Sequence, residues 1–210
     1  MITTQTDFEQ LFQELFGTDY GTYIEGYNFE KHVVWWMNQY FANYSLRIWQ
    51  GDKFVRPYGN NDKICPSWNQ YPDLVYVDEA KKKVLALECK FRLYAKFDIE
   101  RRQLQNYRDF QQHIRHLTNM DTAVYVIVGN NENCFFDETV GIFVNGNNPT
   151  DRENISLRPT EMYSLPLDFI EQQLGEADST TILVSEYPQY QIMTKSEGKI
   201  RNIYKNIPFK

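Results

Sequence analysis

The sequence predicts an α/β fold in which a central mixed sheet is flanked by helices. Two apolar runs separated by a short polar segment, between residues 71 and 92, are typical of an antiparallel hairpin. Segments with helical periodicity precede and follow that hairpin, and another β-branched run comes after the second helix. The predicted order is therefore αβββαβ, with a C-terminal α/β extension beyond it.

The hairpin is the most informative part of the chain. Residues 74–77 and 84–87 are apolar on both faces, which predicts strands inside a sheet covered on each side. If a four-residue loop joins them, Asp73 lies opposite Glu88. Lys90 follows two residues later and shares the face of Glu88. Two carboxylates and an ammonium group are thus expected to converge at one end of the hairpin.

Facing carboxylates at the rim of a covered sheet repel each other, and one takes up a proton unless a cation lies between them. A few hard oxygen ligands suit Mg²⁺ or Mn²⁺, with waters and a substrate phosphate completing the coordination shell. The alternative remains open that Pro72-Asp73 is an ordinary turn dipeptide and that Glu88 and Lys90 form a solvated salt bridge.

These residues resemble a known signature. Pro72-Asp73 followed by Glu88-Cys89-Lys90 is similar to the motif of the PD-(D/E)XK, or restriction-endonuclease-like, nuclease superfamily. The resemblance covers roughly residues 21–145 and implies the αβββαβ core of those enzymes.

A helix over about residues 99–117, capped by Asp98, is predicted after the motif. Its inward face recurs at steps of four and three residues: Gln103, Tyr107, Phe110, Ile114 and Leu117. Gln103 and Tyr107 resemble the Gln-x-x-x-Tyr motif of the RecB-like branch of the superfamily. The alternative is a glutamine that merely flanks a core stripe.

An earlier helix is predicted over residues 28–41, with one face formed by Glu30, Val34, Met37 and Phe41. Members of the resembled superfamily often carry an acid on this helix that points to the metal site. Glu30 occupies that place. The alternative is that Glu30, in the first turn, only complements the helix dipole.

The resemblance implies the metal ligands. Asp73 and Glu88 would hold Mg²⁺ or Mn²⁺, together with the backbone carbonyl of Cys89. Glu30 would bind the ion through a water molecule or serve a second ion.

The resemblance also implies the remaining roles in catalysis. Lys90 would position or activate the attacking water, and Gln103 and Tyr107 would brace the site. The expected reaction is hydrolysis of a phosphodiester bond, because a bound ion neutralises charge that develops on phosphate oxygens.

Length and composition fit a compact enzyme. The 210 residues, 42% of them hydrophobic, can bury one core. We expect a nuclease-like core with a leading helix in residues 1–150 and an extension packed on the same domain in residues 151–210. Three cysteines show no paired spacing, and neither a signal-type leader nor a long apolar stretch occurs. A cytoplasmic protein without a membrane partner is therefore expected.

The net charge of −6 argues against nucleic acid, but its distribution changes that conclusion. Basic residues exceed acids from residue 90 to residue 116, beside the predicted site. The expected nucleic-acid contacts are Arg92, Lys96, Arg101 and Arg102. A merely solvated basic face is the alternative.

Three functions follow from these observations. The favoured one is a metal-dependent nuclease, with DNA preferred over RNA as substrate and a homodimer as one possible state. The second is a nuclease-like domain that binds nucleic acid or regulates without turnover. The third is a carboxylate-rich metal protein that acts on another substrate.

Further elements are predicted more coarsely from propensity and turn residues. They are a leading helix over 4–16, strands over 45–49, 122–128 and 140–144, a helix from Ser164 to Gly175, and a hairpin of 181–185 with 190–193.

Overall fold

A computed structural model describes residues 20–49, 71–92, 95–130, 134–137, 142–145, 159–195 and 202–204. The helices in these ranges are α1 (Tyr20–Tyr40), α2 (Arg101–Thr118) and α3 (Leu167–Leu174). The strands are β1 (Ser45–Trp49), β2 (Leu74–Asp78), β3 (Lys83–Arg92), β4 (Lys96–Glu100), β5 (Asp121–Asn130), β6 (Cys134–Asp137), β7 (Ile142–Asn145), β8 (Glu161–Pro166), β9 (Ser179–Leu183), β10 (Gln191–Lys195) and β11 (Asn202–Tyr204).

The central sheet has seven strands in the order β1-β2-β3-β5-β8-β10-β11. β3 and β5 are parallel over their whole length, whereas the other recorded neighbours in this sheet are antiparallel. The predicted α/β class with a mixed sheet is therefore confirmed. The order α1-β1-β2-β3-α2-β5 also contains the predicted αβββαβ succession, with β4 inserted before α2.

Helices cover both faces of the sheet. On one face, Phe29, Val33 and Trp36 of α1 pack on a buried cluster with alternate β3 residues, including Leu85 and Leu87. On the other face, α2 and α3 pack on the intervening β3 residues and on β5. This arrangement explains why β3 is apolar on both faces, since each face lies under a helix.

The hairpin has the predicted register. Leu74 pairs with Leu87 and Asp78 pairs with Lys83, so the loop contains four residues. In that loop, Lys82 has φ 51°, and the Asp78 carboxylate accepts a hydrogen bond of 3.0 Å from the backbone N–H of Lys81. The side chain of Asp78 thereby closes the turn that fixes the pairing.

The two predicted core helices exist, but their starts are wrong. α1 begins at Tyr20, eight residues before the predicted start. α2 begins at Arg101, because the alternation of buried Phe97 and Ile99 with exposed neighbours makes residues 96–100 a strand. Asp98 is therefore no helix cap, and it accepts a hydrogen bond of 2.6 Å from Thr181 instead. The predicted inward face of α2, which runs from Gln103 to Leu117, also ends early, since Leu117 is 64% exposed.

The C-terminal predictions were partly wrong. The predicted helix ends at Gly175, where φ is 54°, but Ser164 lies in β8 rather than in that helix. The predicted C-terminal hairpin does not form, because β9 pairs with β4 while β10 pairs with β8 and β11. β8 joins the central sheet directly beside β5.

Two other predictions lie wholly or partly outside the described residues: the helix over 4–16 and the first two residues of the strand over 140–144. Among the helices that the structure describes, none is long and apolar enough to cross a membrane.

Candidate active site

The site lies where β2 begins and β3 approaches its end. Asp73 immediately precedes β2, and its Oδ2 accepts a hydrogen bond of 2.7 Å from the backbone N–H of Cys89. The last regular pair of the ladder is Leu74 with Leu87. The Asp73 carboxylate thus adds one side-chain hydrogen bond between the two strands, just beyond their last backbone pair. This bond holds Asp73 at the rim of the sheet, at the level of Glu88.

Glu88 and Lys90 form an ion pair on the face of β3 that α2 covers. The Lys90 Nζ lies 2.5 Å from the Glu88 Oε1, and only 7% of the Glu88 side chain is exposed. Burial alone would lower the pKa of Lys90, but the carboxylates of Glu88 and Asp73 outweigh it and raise that pKa. Lys90 is therefore charged at neutral pH.

Tyr107 on α2 reaches the same acid. Gln103 Nε2 donates a hydrogen bond of 2.6 Å to the Tyr107 hydroxyl. Burial raises the pKa of Tyr107, and the neighbouring charge of Glu88 and a hydrogen bond with it raise the pKa further. The hydroxyl is therefore protonated and can donate to Glu88, while Gln103 fixes its orientation. The four-residue spacing places both side chains on one face of α2.

Glu30 approaches from α1. Its Oε2 accepts a hydrogen bond of 2.7 Å from the indole N–H of Trp49, the last residue of β1. Because α1 begins at Tyr20, Glu30 is in the third turn of the helix and not in its first. The alternative that Glu30 only complements the helix dipole is therefore wrong.

The pKa of Asp73 is affected by the charges of the other two acids. Burial raises its pKa well above the ordinary value, and the charges of Glu88 and then Glu30 raise it further. Lys90 and the Cys89 N–H oppose these effects without cancelling them. The negative charges of Glu88 and Glu30 and the positive charge of Lys90 all act on Asp73, so the ionised site carries an excess of negative charge in a poorly solvated place.

This donor set fits a hard divalent cation. Mg²⁺ is usually bound by only one or two protein carboxylates and keeps several waters. In the described ranges, no three His, Cys, Asp or Glu side chains converge as a ready metal cage. Asp73 and Glu88 together supply two carboxylates, which is within the number of protein ligands that a magnesium site usually has. A ligand role for the Cys89 carbonyl stays a prediction.

The thiol of Cys89 is buried. It lies in the buried cluster under α1, on the face opposite to Glu88. Burial raises the pKa of the thiol well above its ordinary value, and the charges of Asp73, Glu30 and Glu88 add to the effect. A neutral, enclosed thiol is a poor nucleophile.

The four predicted nucleic-acid contacts are exposed and follow Glu88 in the sequence. Arg92 ends β3, Lys96 begins β4, and Arg102 lies in the first turn of α2. Arg101 differs, because its guanidinium donates hydrogen bonds of 2.8 and 2.7 Å to the backbone carbonyls of Gly175 and Ala177. Its side chain thus ties α2 to the end of α3.

Two residues beside the site escaped sequence reasoning. Trp49 binds Glu30, although the sequence shows it only as the end of an apolar strand. Tyr71 precedes Asp73 by two residues and packs on Phe110 with ring centroids 5.7 Å apart. Its position just before the motif is the signal that identifies it.

Comparison of this chain with known proteins finds a similarity at the level of structure. No protein family and no curated protein matches this chain. It is similar to the solved structure of Hjc, a Holliday junction resolvase of the archaeal hyperthermophile Archaeoglobus fulgidus, with 13% identity and a TM-score of 0.44. The match covers 78% of this chain and 88% of that chain.

Proposed function

We propose that this protein is a metal-dependent nuclease of the PD-(D/E)XK type that hydrolyses phosphodiester bonds. The observation that carries the proposal is the placement of Asp73 and Glu88 at the hairpin end, with Lys90 paired to Glu88 and with Glu30 of α1 near enough for its charge to act on Asp73. A protein that used this sheet only as a scaffold would gain nothing from buried, mutually repelling carboxylates.

Asp73 and Glu88 would hold Mg²⁺ or Mn²⁺, and Glu30 would act through a water molecule. When bound, the ion would stabilise charge on phosphate oxygens and lower the pKa of a coordinated water. Gln103 and Tyr107 keep the Glu88 carboxylate in place through the hydrogen bonds described above. Such support determines how accurately an acid is positioned.

Lys90 has the role of a charged donor in this proposal. Because its pKa is raised, the ammonium group keeps its proton near neutral pH and does not accept one from water. It can instead orient the attacking water or a phosphate oxygen, and it favours the charge that develops in the transition state. Of the two roles that the resemblance implies for Lys90, positioning therefore agrees better with the raised pKa than activation as a base.

The exposed side chains of Arg92, Lys96 and Arg102 would contact the phosphate backbone of the substrate. Such contacts give affinity without sequence specificity and weaken as salt is added. We retain DNA as the favoured substrate, with RNA as the alternative.

The test uses the full chain with single- and double-stranded DNA and RNA in Mg²⁺, Mn²⁺ or EDTA. Cleavage should require the ion, and Asp73→Asn and Lys90→Met should each lower its rate by about 10²- to 10³-fold. Asp109→Asn on the exposed face of α2 and Lys83→Met at the far end of β3 are matched controls that should cleave normally. Mn²⁺ should also raise the melting temperature of the wild type but not of Asp73→Asn.

One observation favours the second function, a nuclease-like domain that binds without cleaving. The Glu88–Lys90 ion pair and the hydrogen bond from Cys89 to Asp73 partly satisfy the acids without any ion. Binding of nucleic acid by the intact protein, with neither cleavage nor stabilisation by Mn²⁺, would support this function over the nuclease.

A further inference from the structure

Tyr71 is an exposed aromatic residue beside the candidate site. The residue is 39% exposed, and it is one of five large hydrophobic residues with such exposure in the described ranges. It precedes Asp73 by two residues, so their Cα atoms lie at most about 7 Å apart. Of the five, it alone stands next to an acid of the site along the chain; the others are Trp35, Tyr40, Ile48 and Leu117.

The ring of Tyr71 is held in position by α2. It meets the Phe110 ring at a centroid distance of 5.7 Å and an interplanar angle of 58°. Phe110 is buried one helical turn after Tyr107, whose hydroxyl interacts with Glu88. The same helix therefore anchors the exposed ring and the acid, and the ring's position relative to the site is defined.

An aromatic ring that packs on the core and is still partly exposed to solvent is a platform for stacking. A nucleobase stacks on such a ring whatever its identity, and a ring that is already ordered loses little entropy on binding. A base inside a duplex already stacks on its neighbours and cannot use this platform. A base that is unpaired or displaced can.

We infer that Tyr71 stacks on an unpaired nucleobase next to the phosphate that the site attacks. The inference rests on the proposed nuclease function and defines its substrate class further: a strand with at least one unstacked nucleotide at the site. Tyr71 contributes binding and not chemistry, so its loss weakens substrate affinity and raises KM while kcat stays nearly constant.

A purely structural role for Tyr71 makes a different prediction. If the ring only anchors the chain before Asp73, Tyr71→Leu should disturb that acid and lower kcat. Leucine keeps an apolar contact with Phe110 but has no flat ring, whereas Tyr71→Phe keeps the ring and loses the hydroxyl. The two variants therefore separate stacking from packing and from hydroxyl hydrogen bonding.

The experiment measures binding of fluorescent single-stranded and duplex DNA in EDTA, and then steady-state cleavage in Mg²⁺. Tyr71→Leu should weaken single-strand binding by about five- to a hundredfold, with little effect on fully paired duplex. Tyr71→Phe should bind within about twofold of the wild type. Tyr40→Leu is the matched control, because Tyr40 is more exposed, at 50%, and lies at the end of α1.

A second measurement uses the unchanged protein. Irradiation of its complex with a 5-iodouracil-substituted single strand should cross-link the peptide that carries Tyr71, identified by mass spectrometry. Unchanged binding in Tyr71→Leu, equal losses in Tyr71→Phe and Tyr71→Leu, or cross-links confined to other peptides would each overturn the inference while leaving the nuclease proposal intact. If the wild type binds no nucleic acid at all, both proposals are wrong.

Discussion

The hydroxyl of Tyr107 interacts with two side chains of the candidate site. It receives a hydrogen bond from Gln103 and interacts with Glu88 inside the core. Removing it in Tyr107→Phe leaves both partners without their bond. We expect the free energy of unfolding to fall by about 1–3 kcal/mol, since an unpaired buried polar group loses its solvation without compensation. Urea titration followed by circular dichroism measures this change.

Tyr76 provides the matched control for that substitution. Its hydroxyl is also fully buried, but it has no hydrogen-bond partner among the residues that the structure describes. Tyr76→Phe should therefore leave the free energy of unfolding unchanged or raise it by up to about 1 kcal/mol. Equal destabilisation by the two substitutions would contradict the assignment of the Tyr107 contacts.

At the level of single residues, sequence reasoning succeeded where the geometry is regular. The placement of Asp73 beside Glu88 follows from the alternation of a hairpin with a short loop, and the register agrees. The bond between Trp49 and Glu30 could not be predicted, because it joins a helix to a strand 19 residues away through side chains alone. Such contacts depend on how α1 lies across the sheet.

Among the elements, the β2–β3 hairpin makes a prediction about pH. The pKa of Asp78 is lowered, first by the hydrogen bond from the backbone of Lys81 and then by one from Asn43 at 2.6 Å. A lowered pKa in the folded state means that the ionised group stabilises the protein above the unfolded-state pKa of about 3.9. That contribution is lost as the pH falls through the folded-state value.

Asp78→Asn should accordingly be less stable than the wild type above about pH 5. The difference should shrink steadily as the pH is lowered through 4 and below, because the wild type then also carries a neutral group. Urea titrations at a series of pH values measure it. Asn43→Ala, which removes one donor, should reduce the pH dependence, and a difference that grew in acid would contradict the mechanism.

The contact between α1 and β5 is equally specific. A Cβ added at Gly129 would overlap the buried Phe29 ring. Gly129→Ala should therefore lower the free energy of unfolding by about 1–3 kcal/mol through overpacking. Gly26→Ala is the control, because no atom lies within 4 Å of its added Cβ and alanine favours the helix, so it should stabilise by up to about 1 kcal/mol. Thermal and urea unfolding of both variants tests the pair.

Elements with strong local patterns were predicted well, whereas pairing between distant strands was not. β4 shows a period-two alternation that the sequence contains, yet the helix pattern that follows it obscured the boundary. Its partner β9 lies about 80 residues later, and neither strand contains a feature that identifies the other. The same holds for β10, which pairs with β8 and not with β9, although β9 lies nearer to it than β8 in the sequence.

For the whole molecule, the joining of β8 to the central sheet has a direct consequence. β8 pairs with β5 along six residues, and its Tyr163 and Leu165 belong to the core under α2 and α3. A chain that ends at residue 150 would leave the backbone edge of β5 that pairs with β8 without a partner, and it would lose α3. We expect a chain of residues 1–150 to lack a cooperative urea transition, because β5 has lost its neighbouring strand β8 and this face of the sheet has lost α3. The full chain should show a cooperative transition. A fragment of residues 1–150 that unfolds cooperatively and cleaves nucleic acid would show instead that the site needs only the αβββαβ succession.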